Sequence, residues 1–118
     1  MTATDMANDQ LNVPEEQAFA LSRAAILLDQ ARQNFSDRNA LGAALNENLE
    51  TWVVIKTIAE GPGSGFSETV KQNLVRLSNY VADITFKSAD DISEQTIDTL
   101  INVNLQISEG LLEGAGRN

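Results

Sequence analysis

The sequence predicts an all-α protein, a small antiparallel helical bundle of about four helices. Apolar residues recur at alternating spacings of three and four in four segments, which is the pattern of amphipathic helices. Polar or glycine-rich breaks separate the segments, and no useful length of chain alternates with the period of two that a strand requires. Helices of about 20 residues joined by short links favour antiparallel neighbours.

The first predicted helix spans about 14–35 and follows a polar stretch, residues 1–12, that we expect to form a disordered arm. Pro14 suits a first helical turn, and Glu15 and Glu16 favour the positive end of the helix dipole. The apolar positions of this helix are Ala18, Leu21, Ala25, Leu28 and Phe35, and its face is widened by Phe19, Ile26 and Leu27.

The second predicted helix spans about 38–59, with Ser36-Asp37 available as its cap. Its stripe consists of Leu41, Leu45, Asn48, Trp52, Ile55 and Ala59. The loop Gly61-Pro62-Gly63-Ser64-Gly65 ends this helix, because glycine favours the left-handed cap and proline cannot continue a helix. We interpret the loop as a linker, since it lacks the strand and the Lys-Ser/Thr ending of a phosphate-binding loop.

The third predicted helix follows a Ser67 cap and ends near residue 86. The fourth spans about 92–111, and Asp91 with Glu94 resembles a capping box. The predicted organisation is therefore a helical domain over 13–112 and a flexible tail over 113–118. The third helix has a stripe at Val70, Leu74, Leu77, Val81 and Ile84, and the fourth has one at Ile97, Leu100, Ile101, Asn104, Ile107 and Leu111.

Composition excludes several classes of function. The chain has no His and no Cys, so zinc-thiolate sites, thiol nucleophiles and Ser–His pairs are excluded. Its net charge of −9 and its scattered basic residues oppose direct binding of nucleic acid. No apolar run approaches a membrane span, and the acidic N-terminus does not resemble a secretory signal. We expect a cytoplasmic protein without cofactor or metal.

Carboxylate groups are the remaining catalytic chemistry. The candidates lie at helix starts or on polar faces, where they serve the helix dipole or the solvated surface, and this interpretation is favoured over catalysis. A di-metal bundle would also need a Glu-x-x-His motif. The sequence therefore predicts no enzyme. The candidate groups are Glu15/Glu16, Glu47/Glu50 and Asp90/Asp91/Glu94.

Two asparagines interrupt the apolar stripes. Asn48 lies between Leu45 and Trp52, and Asn104 lies on the stripe of the fourth helix. A buried unpaired amide costs about 1–3 kcal/mol, so each should bond to a backbone carbonyl or to the other. The two amides either fix the register of the helices or anchor a bound segment.

Apolar residues beyond the main stripes are a third feature. A monomeric bundle needs one stripe for each helix, so the additional positions could bury a partner helix, close a homodimer, or be ordinary scattered exposure. The first helix is apolar on more than one face, and the additional positions on the other helices are Val53, Val54, Tyr80, Leu105 and Leu112.

Three sequence blocks occur in an order that is typical of one family. Residues 44–52 read ALNENLETW, residues 77–85 read LSNYVADIT and residues 100–111 read LINVNLQISEGL. They resemble three blocks of the FlaF family, the flagellar biosynthesis regulators of alphaproteobacteria. The first resembles its A-L-x-x-N-x-x-x-W segment, and the second resembles a block made of a Leu, an aromatic-Val pair and a Thr. The third resembles its closing L-I-x-(I/V)-N-x-x-I-x-x-G-L. The resemblance covers about 13–112. The departures are Glu15 and Leu105 where the family has Arg, Thr51 where it has Leu, and Tyr80 where it has Trp.

The resemblance implies a flagellin-binding chaperone and regulator, acting in flagellin synthesis and secretion alongside FlbT, a regulator of flagellin messenger RNA. Apolar helical faces would mask the assembly-prone helical ends of flagellin without a cofactor. Two alternatives remain: an adaptor that controls flagellin messenger RNA through a partner such as FlbT, or a structural homo-oligomer closed through the stripe of the third helix. The expected contact residues are Trp52, Val53, Tyr80, Val81 and Leu105, with Asn48 and Asn104 as polar anchors. Trp52 is either a contact or a core residue, and the sequence leaves both open.

Overall fold

The computed structural model describes residues 13–63, 65–87 and 92–116 of the chain. They form four α-helices and, within these described residues, no strand, which confirms the predicted fold class. The predicted arm at 1–12 and the predicted cap residue Asp91 lie outside the described residues. The helices are α1 (Val13–Gln33), α2 (Arg38–Glu60), α3 (Glu68–Lys87) and α4 (Glu94–Gly116).

Polar side chains begin three of the helices. The Asp37 carboxylate accepts a hydrogen bond from the Ala40 N–H at 3.1 Å, and the Ser67 hydroxyl accepts one from the Val70 N–H at 3.2 Å. Both caps were predicted. Helix α4 differs, because the Ser93 hydroxyl accepts from the N–H of the residue three positions later at 3.1 Å. The helix therefore starts at Glu94, after the predicted start near 92.

The ends of α2 and α4 also depart from the sequence prediction. Gly61 has a φ of −83°, so the predicted left-handed cap is wrong; its N–H instead bonds to the carbonyl oxygens of Thr57 and Ile58. The left-handed residues are Gly63 and Gly65, with φ of 76° and 81°. Helix α4 continues to Gly116, past the predicted end at 111 and into the predicted tail. No proline interrupts this segment, so its two glycines lower helix propensity without breaking the helix.

The helices follow one another up and down. Helix α1 packs closely against α4 and α2, and α2 packs closely against α3. The α1 and α4 helices are antiparallel, because Ala18 bonds to Ser108 while the later residue Leu21 bonds to the earlier residue Asn104. Helices α3 and α4 flank the remaining side of the bundle.

The core is formed mainly by α1, α2 and α4. Helix α1 contributes many alanines, and such small side chains allow close approach of two neighbouring helices. Helix α3 contributes least: of its predicted stripe, only Leu74 and Val81 are buried. The largest fully buried apolar side chains are Trp52, Leu21, Leu28, Leu41, Ile55, Ile97, Leu100 and Val81.

Candidate partner-binding site

A cleft of about 430 Å³ lies between α3 and α4. Its α3 wall includes Val70 and Leu74, with Phe66 just before that helix, and its α4 wall includes Ile107 and Leu111. Most of these side chains are apolar, and the cleft is open to the surface. The cleft therefore has the shape and chemistry of a groove that could accept an apolar helix face.

The cleft exists because only part of the apolar stripe of α3 packs into the core. One side of α3 faces α2, where Lys56 Nζ donates to Asn79 Oδ1 at 2.9 Å. Val70, Leu77 and Ile84 lie seven residues apart, so they share one face, and Val70 lines the cleft. Val70 is exposed, and Leu77 and Ile84 are half-buried.

The same observation bears on the predicted self-association seam. Two of its positions, Leu74 and Val81, are buried within the protomer, so they are not available to a second copy. Val70 is exposed and lines the cleft, and Leu77 and Ile84, which share its face of α3, remain half-buried.

Gly110 is part of the cleft wall. A Cβ atom built on this residue would meet nothing within 4 Å, so the space beside it is open.

Tyr80 lies three residues after Leu77, on the same side of α3, and is 43 % exposed. An aromatic side chain in this position is a suitable contact for a partner in the groove.

The two predicted asparagines meet in the core. Asn104 Nδ2 donates to Asn48 Oδ1 at 2.7 Å and to the Leu21 carbonyl at 3.2 Å. Asn104 Oδ1 accepts from the indole Nε1 of Trp52 at 2.9 Å. Both predicted kinds of partner are therefore present, a backbone carbonyl and the other asparagine. Asn48 Nδ2 is buried without a hydrogen-bond partner among the described residues.

Two of the predicted contact residues are in the core. Trp52 and Val81 are each 0 % exposed, so their prediction as surface contacts is wrong. Trp52 points inward because it lies on the same stripe as Asn48 and Ile55. Val81 lies about 100° around the helix from Tyr80, so one side chain of this pair faces the core while the other faces solvent.

The other three predicted contact residues are exposed but do not form one surface. Tyr80 lies on the cleft side of α3. Val53 lies on α2, one turn before Lys56. Lys56 contacts Asn79 on the side of α3 that faces α2, which is not the cleft side. Leu105 lies on α4, one turn before a residue that bonds to α1. None of the three lines the cleft, and Tyr80 lies nearest to it, about two turns beyond Leu74 on α3.

Sequence reasoning also missed exposed residues. Phe19 and Ile26 were assigned to a widened inner face of the first helix, but both are exposed. They lie seven residues apart and outside the buried Ala18–Leu21–Ala25–Leu28 row. That spacing was a signal that could have placed them together on a second face.

The candidate catalytic carboxylates are separated. Glu47 pairs with Arg23 at 3.2 Å, and Glu50 accepts from Asn46 at 3.4 Å. Glu15, Glu16 and Glu94 occupy first helical turns, whereas 90–91 lie outside the described residues. Over 13–63, 65–87 and 92–116, no three His, Cys, Asp or Glu residues are grouped to hold a metal ion.

One arginine pairs with two carboxylates. Arg32 pairs with Asp98 of α4 and with Asp29 of its own helix. The hydrogen bond that Arg32 donates to Asp98, with the negative charges of both carboxylates, raises the pKa of Arg32 above its usual value, against a smaller opposing effect of desolvation. This cluster ties α1 to α4 and has no partner-binding geometry of its own.

The fold and the cleft define a class of protein, a small four-helix bundle with an apolar groove between its third and fourth helices. In the described part of the chain, no helix has the length and apolar character to cross a membrane. Residues 4–111 match the family model for FlaF, described as flagellar protein FlaF, and the chain therefore belongs to the FlaF family. This match begins upstream of the predicted domain start at residue 13. No curated protein and no solved structure matches the chain.

Proposed function

We propose that this protein binds flagellin in the cytoplasm as a non-enzymatic chaperone during flagellum assembly, and that flagellin docks in the α3/α4 cleft. Membership of a flagellar family supports the link to the flagellum. The single observation that supports a binding role is the open apolar cleft beside the half-used stripe of α3.

The physical basis is helix-in-groove packing. An amphipathic helix laid between α3 and α4 would cover Val70, Leu77 and Tyr80, which the protomer leaves exposed or half-buried. Removal of this apolar surface from water favours association by about 25 cal/mol for each Å² buried. Such binding needs neither a cofactor nor a proton transfer.

A matched pair of glycine variants tests the proposal. Gly110 lines the cleft, whereas Gly42 lies in α2 away from it, and in both cases an added Cβ meets nothing within 4 Å. Gly110→Glu and Gly42→Glu therefore add the same charge and the same helix-forming residue at two open positions. Only the first places a carboxylate at the edge of the apolar groove, where its desolvation opposes docking.

The measurement is titration calorimetry with purified flagellin. We expect the wild-type protein and Gly42→Glu to bind equally, and Gly110→Glu to bind at least about tenfold more weakly, which corresponds to about 1.4 kcal/mol. Absence of a complex at concentrations on the order of tens of micromolar, with both proteins folded, would contradict the proposed function. Equal binding by all three proteins would place the contact outside the cleft.

A further inference from the structure

Four large apolar side chains surround one hydrogen bond on a different face of the molecule. The hydroxyl oxygens of Ser22 and Ser108 are 2.9 Å apart, where α1 meets α4. Phe19 and Ile26 lie one turn before and after Ser22, and Leu105 and Leu112 lie one turn before and after Ser108. Their exposed fractions are 59 % for Phe19, 57 % for Ile26, 47 % for Leu105 and 44 % for Leu112. We refer to these four residues as the α1/α4 patch.

The hydrogen bonds place these residues together. The Ser108 hydroxyl donates to the Ala18 carbonyl at 2.9 Å, so Ser22 is the donor to Ser108. Residues three or four positions apart lie on one helix face, so each serine shares its face with its two apolar neighbours. Because the serines touch, the two apolar rows run side by side across the seam between α1 and α4.

Small side chains at the seam explain why the larger ones remain outside. Ser22 is half-buried and Ser108 is buried. The hydroxyl groups of both have hydrogen-bond partners within the contact between α1 and α4. Ile26 and Leu112 are therefore not needed to close the contact between the helices. Large apolar side chains that cluster on a surface without closing the core are typical of protein interaction sites.

The charge around the patch is negative. In the described residues, α1 and α4 carry seven carboxylates and two arginines. Arg23 is paired with Glu47, and Arg32 is paired with Asp29 and Asp98. With seven carboxylates against two arginines, the net formal charge of this helix pair is negative.

One carboxylate lies at the patch itself. Glu109 is exposed four residues after Leu105 and three before Leu112, so it lies on the rim of the apolar rows. A ligand that binds this face must therefore carry positively charged groups around its own apolar surface. A second copy of this chain has the wrong charge, since each copy carries −9.

We propose that the α1/α4 patch binds an amphipathic helix with basic flanks, presented by a protein other than the occupant of the cleft. The apolar face of that helix covers the two rows, and its Lys or Arg side chains meet Glu109 and the acidic surroundings. The patch and the cleft are formed by different faces, since one lies on the α1 side of α4 and the other on its α3 side. The protein can therefore hold two helical partners at once.

The probe is a synthetic amphipathic helix of about 18 residues, long enough for five turns. It has a leucine stripe and lysine flanks. One control peptide keeps the leucine stripe with glutamate flanks, and a second has the leucine and lysine composition scrambled so that no apolar face forms. The protein variant is Phe19→Gln/Leu105→Gln, and its matched control is Val53→Gln/Val54→Gln, two exposed apolar residues of α2.

We expect the leucine-lysine peptide to bind the wild-type protein and the Val53→Gln/Val54→Gln control equally, and to bind Phe19→Gln/Leu105→Gln at least about tenfold more weakly. The two control peptides should bind at least tenfold more weakly than the probe. Amide chemical-shift changes on binding should centre on Ser22 and Ser108. All four altered side chains are exposed, and unchanged thermal melts will verify that the variants fold.

Equal binding to both double variants, or equal binding by the scrambled peptide, would overturn the proposal, since attachment would then be non-specific. A wild-type dimer in light scattering that Phe19→Gln/Leu105→Gln dissociates would also overturn it and assign the patch to a second copy. The flagellin titration separates this proposal from the previous one: Phe19→Gln/Leu105→Gln should bind flagellin normally. If it loses flagellin binding while Gly110→Glu does not, the patch is the flagellin site and the proposal of a second partner fails.

Discussion

The indole N–H of Trp52 on α2 donates a hydrogen bond of 2.9 Å to Oδ1 of Asn104 on α4, and both side chains are fully buried. Asn104 uses its amide nitrogen to reach Asn48 on α2 and the Leu21 carbonyl on α1. One side chain thus joins three helices. Because each of these bonds requires one relative position of the helices, the network fixes their register.

Replacement of Asn104 should be among the most costly single changes in the protein. Asn104→Leu removes three hydrogen bonds and leaves the Trp52 N–H and the Asn48 Oδ1 atom buried without partners. At about 1–3 kcal/mol for each unsatisfied group, we expect the free energy of unfolding to fall by about 3–5 kcal/mol in urea titrations. Asn102→Leu, at an exposed position of the same helix, is the control and should change stability by less than about 0.5 kcal/mol. A loss below about 1 kcal/mol for Asn104→Leu would show that the network does not hold the helices.

Trp52 should behave as a core residue. Trp52→Ala should lower the free energy of unfolding by about 3–5 kcal/mol, because a fully buried large side chain is lost. Trp52→Phe keeps most of the volume and loses the donor to Asn104, so its cost should be smaller, about 1–3 kcal/mol. The folded Trp52→Phe protein should bind flagellin as the wild-type protein does. Normal thermal stability of Trp52→Ala would contradict the buried position.

Tyr80 should show the opposite pattern. It is 43 % exposed on α3, about two turns beyond the cleft, so Tyr80→Ala should change the melting temperature little. Loss of an aromatic contact should weaken flagellin binding by about tenfold or more in the same titration. Val54→Ala, which shortens an exposed apolar side chain of α2, serves as the control and should affect neither property. Unchanged flagellin binding by Tyr80→Ala would remove this residue from the proposed interface.

Two glycines should respond in opposite directions to the same substitution. Gly42 lies inside α2 with open space around it, so Gly42→Ala should raise the free energy of unfolding by about 0.5–1 kcal/mol. Gly63 has a φ of 76°, where an L side chain is strained, so Gly63→Ala should lower it by about 1–2 kcal/mol. Denaturant titration of both variants checks the pair. Equal effects on stability would contradict the backbone conformation of the loop.

The sequence contained enough information for the fold and for the polar network. Periodicity located four helices, and the local chemistry of Asp37 and Ser67 located two of their starts. The interruption of two apolar stripes identified Asn48 and Asn104 as buried amides that need a partner, either a backbone carbonyl or each other. These features depend on neighbours in sequence or on the period of one helix, so they can be deduced without tertiary contacts.

The placement of the candidate surfaces could not be deduced in the same way. Trp52 and Tyr80 are both aromatic residues in apolar segments, yet only Trp52 faces a packed neighbour on every side. The distance between α3 and α4 decides which edge of α3 lacks a close neighbour. The periodicity of the sequence does not give that distance. Phe19 and Ile26 are a different case, because their seven-residue spacing outside the buried row of α1 was a sequence signal for a second face.

The most direct test of the central claim is amide hydrogen exchange of this protein with and without purified flagellin. The account predicts added protection in α3 and in the last turns of α4, around Val70, Leu77 and Ile107, with the exposed face of α2 around Val54 unchanged. Protection confined to other helices, or no change at saturating flagellin, would contradict docking in the cleft.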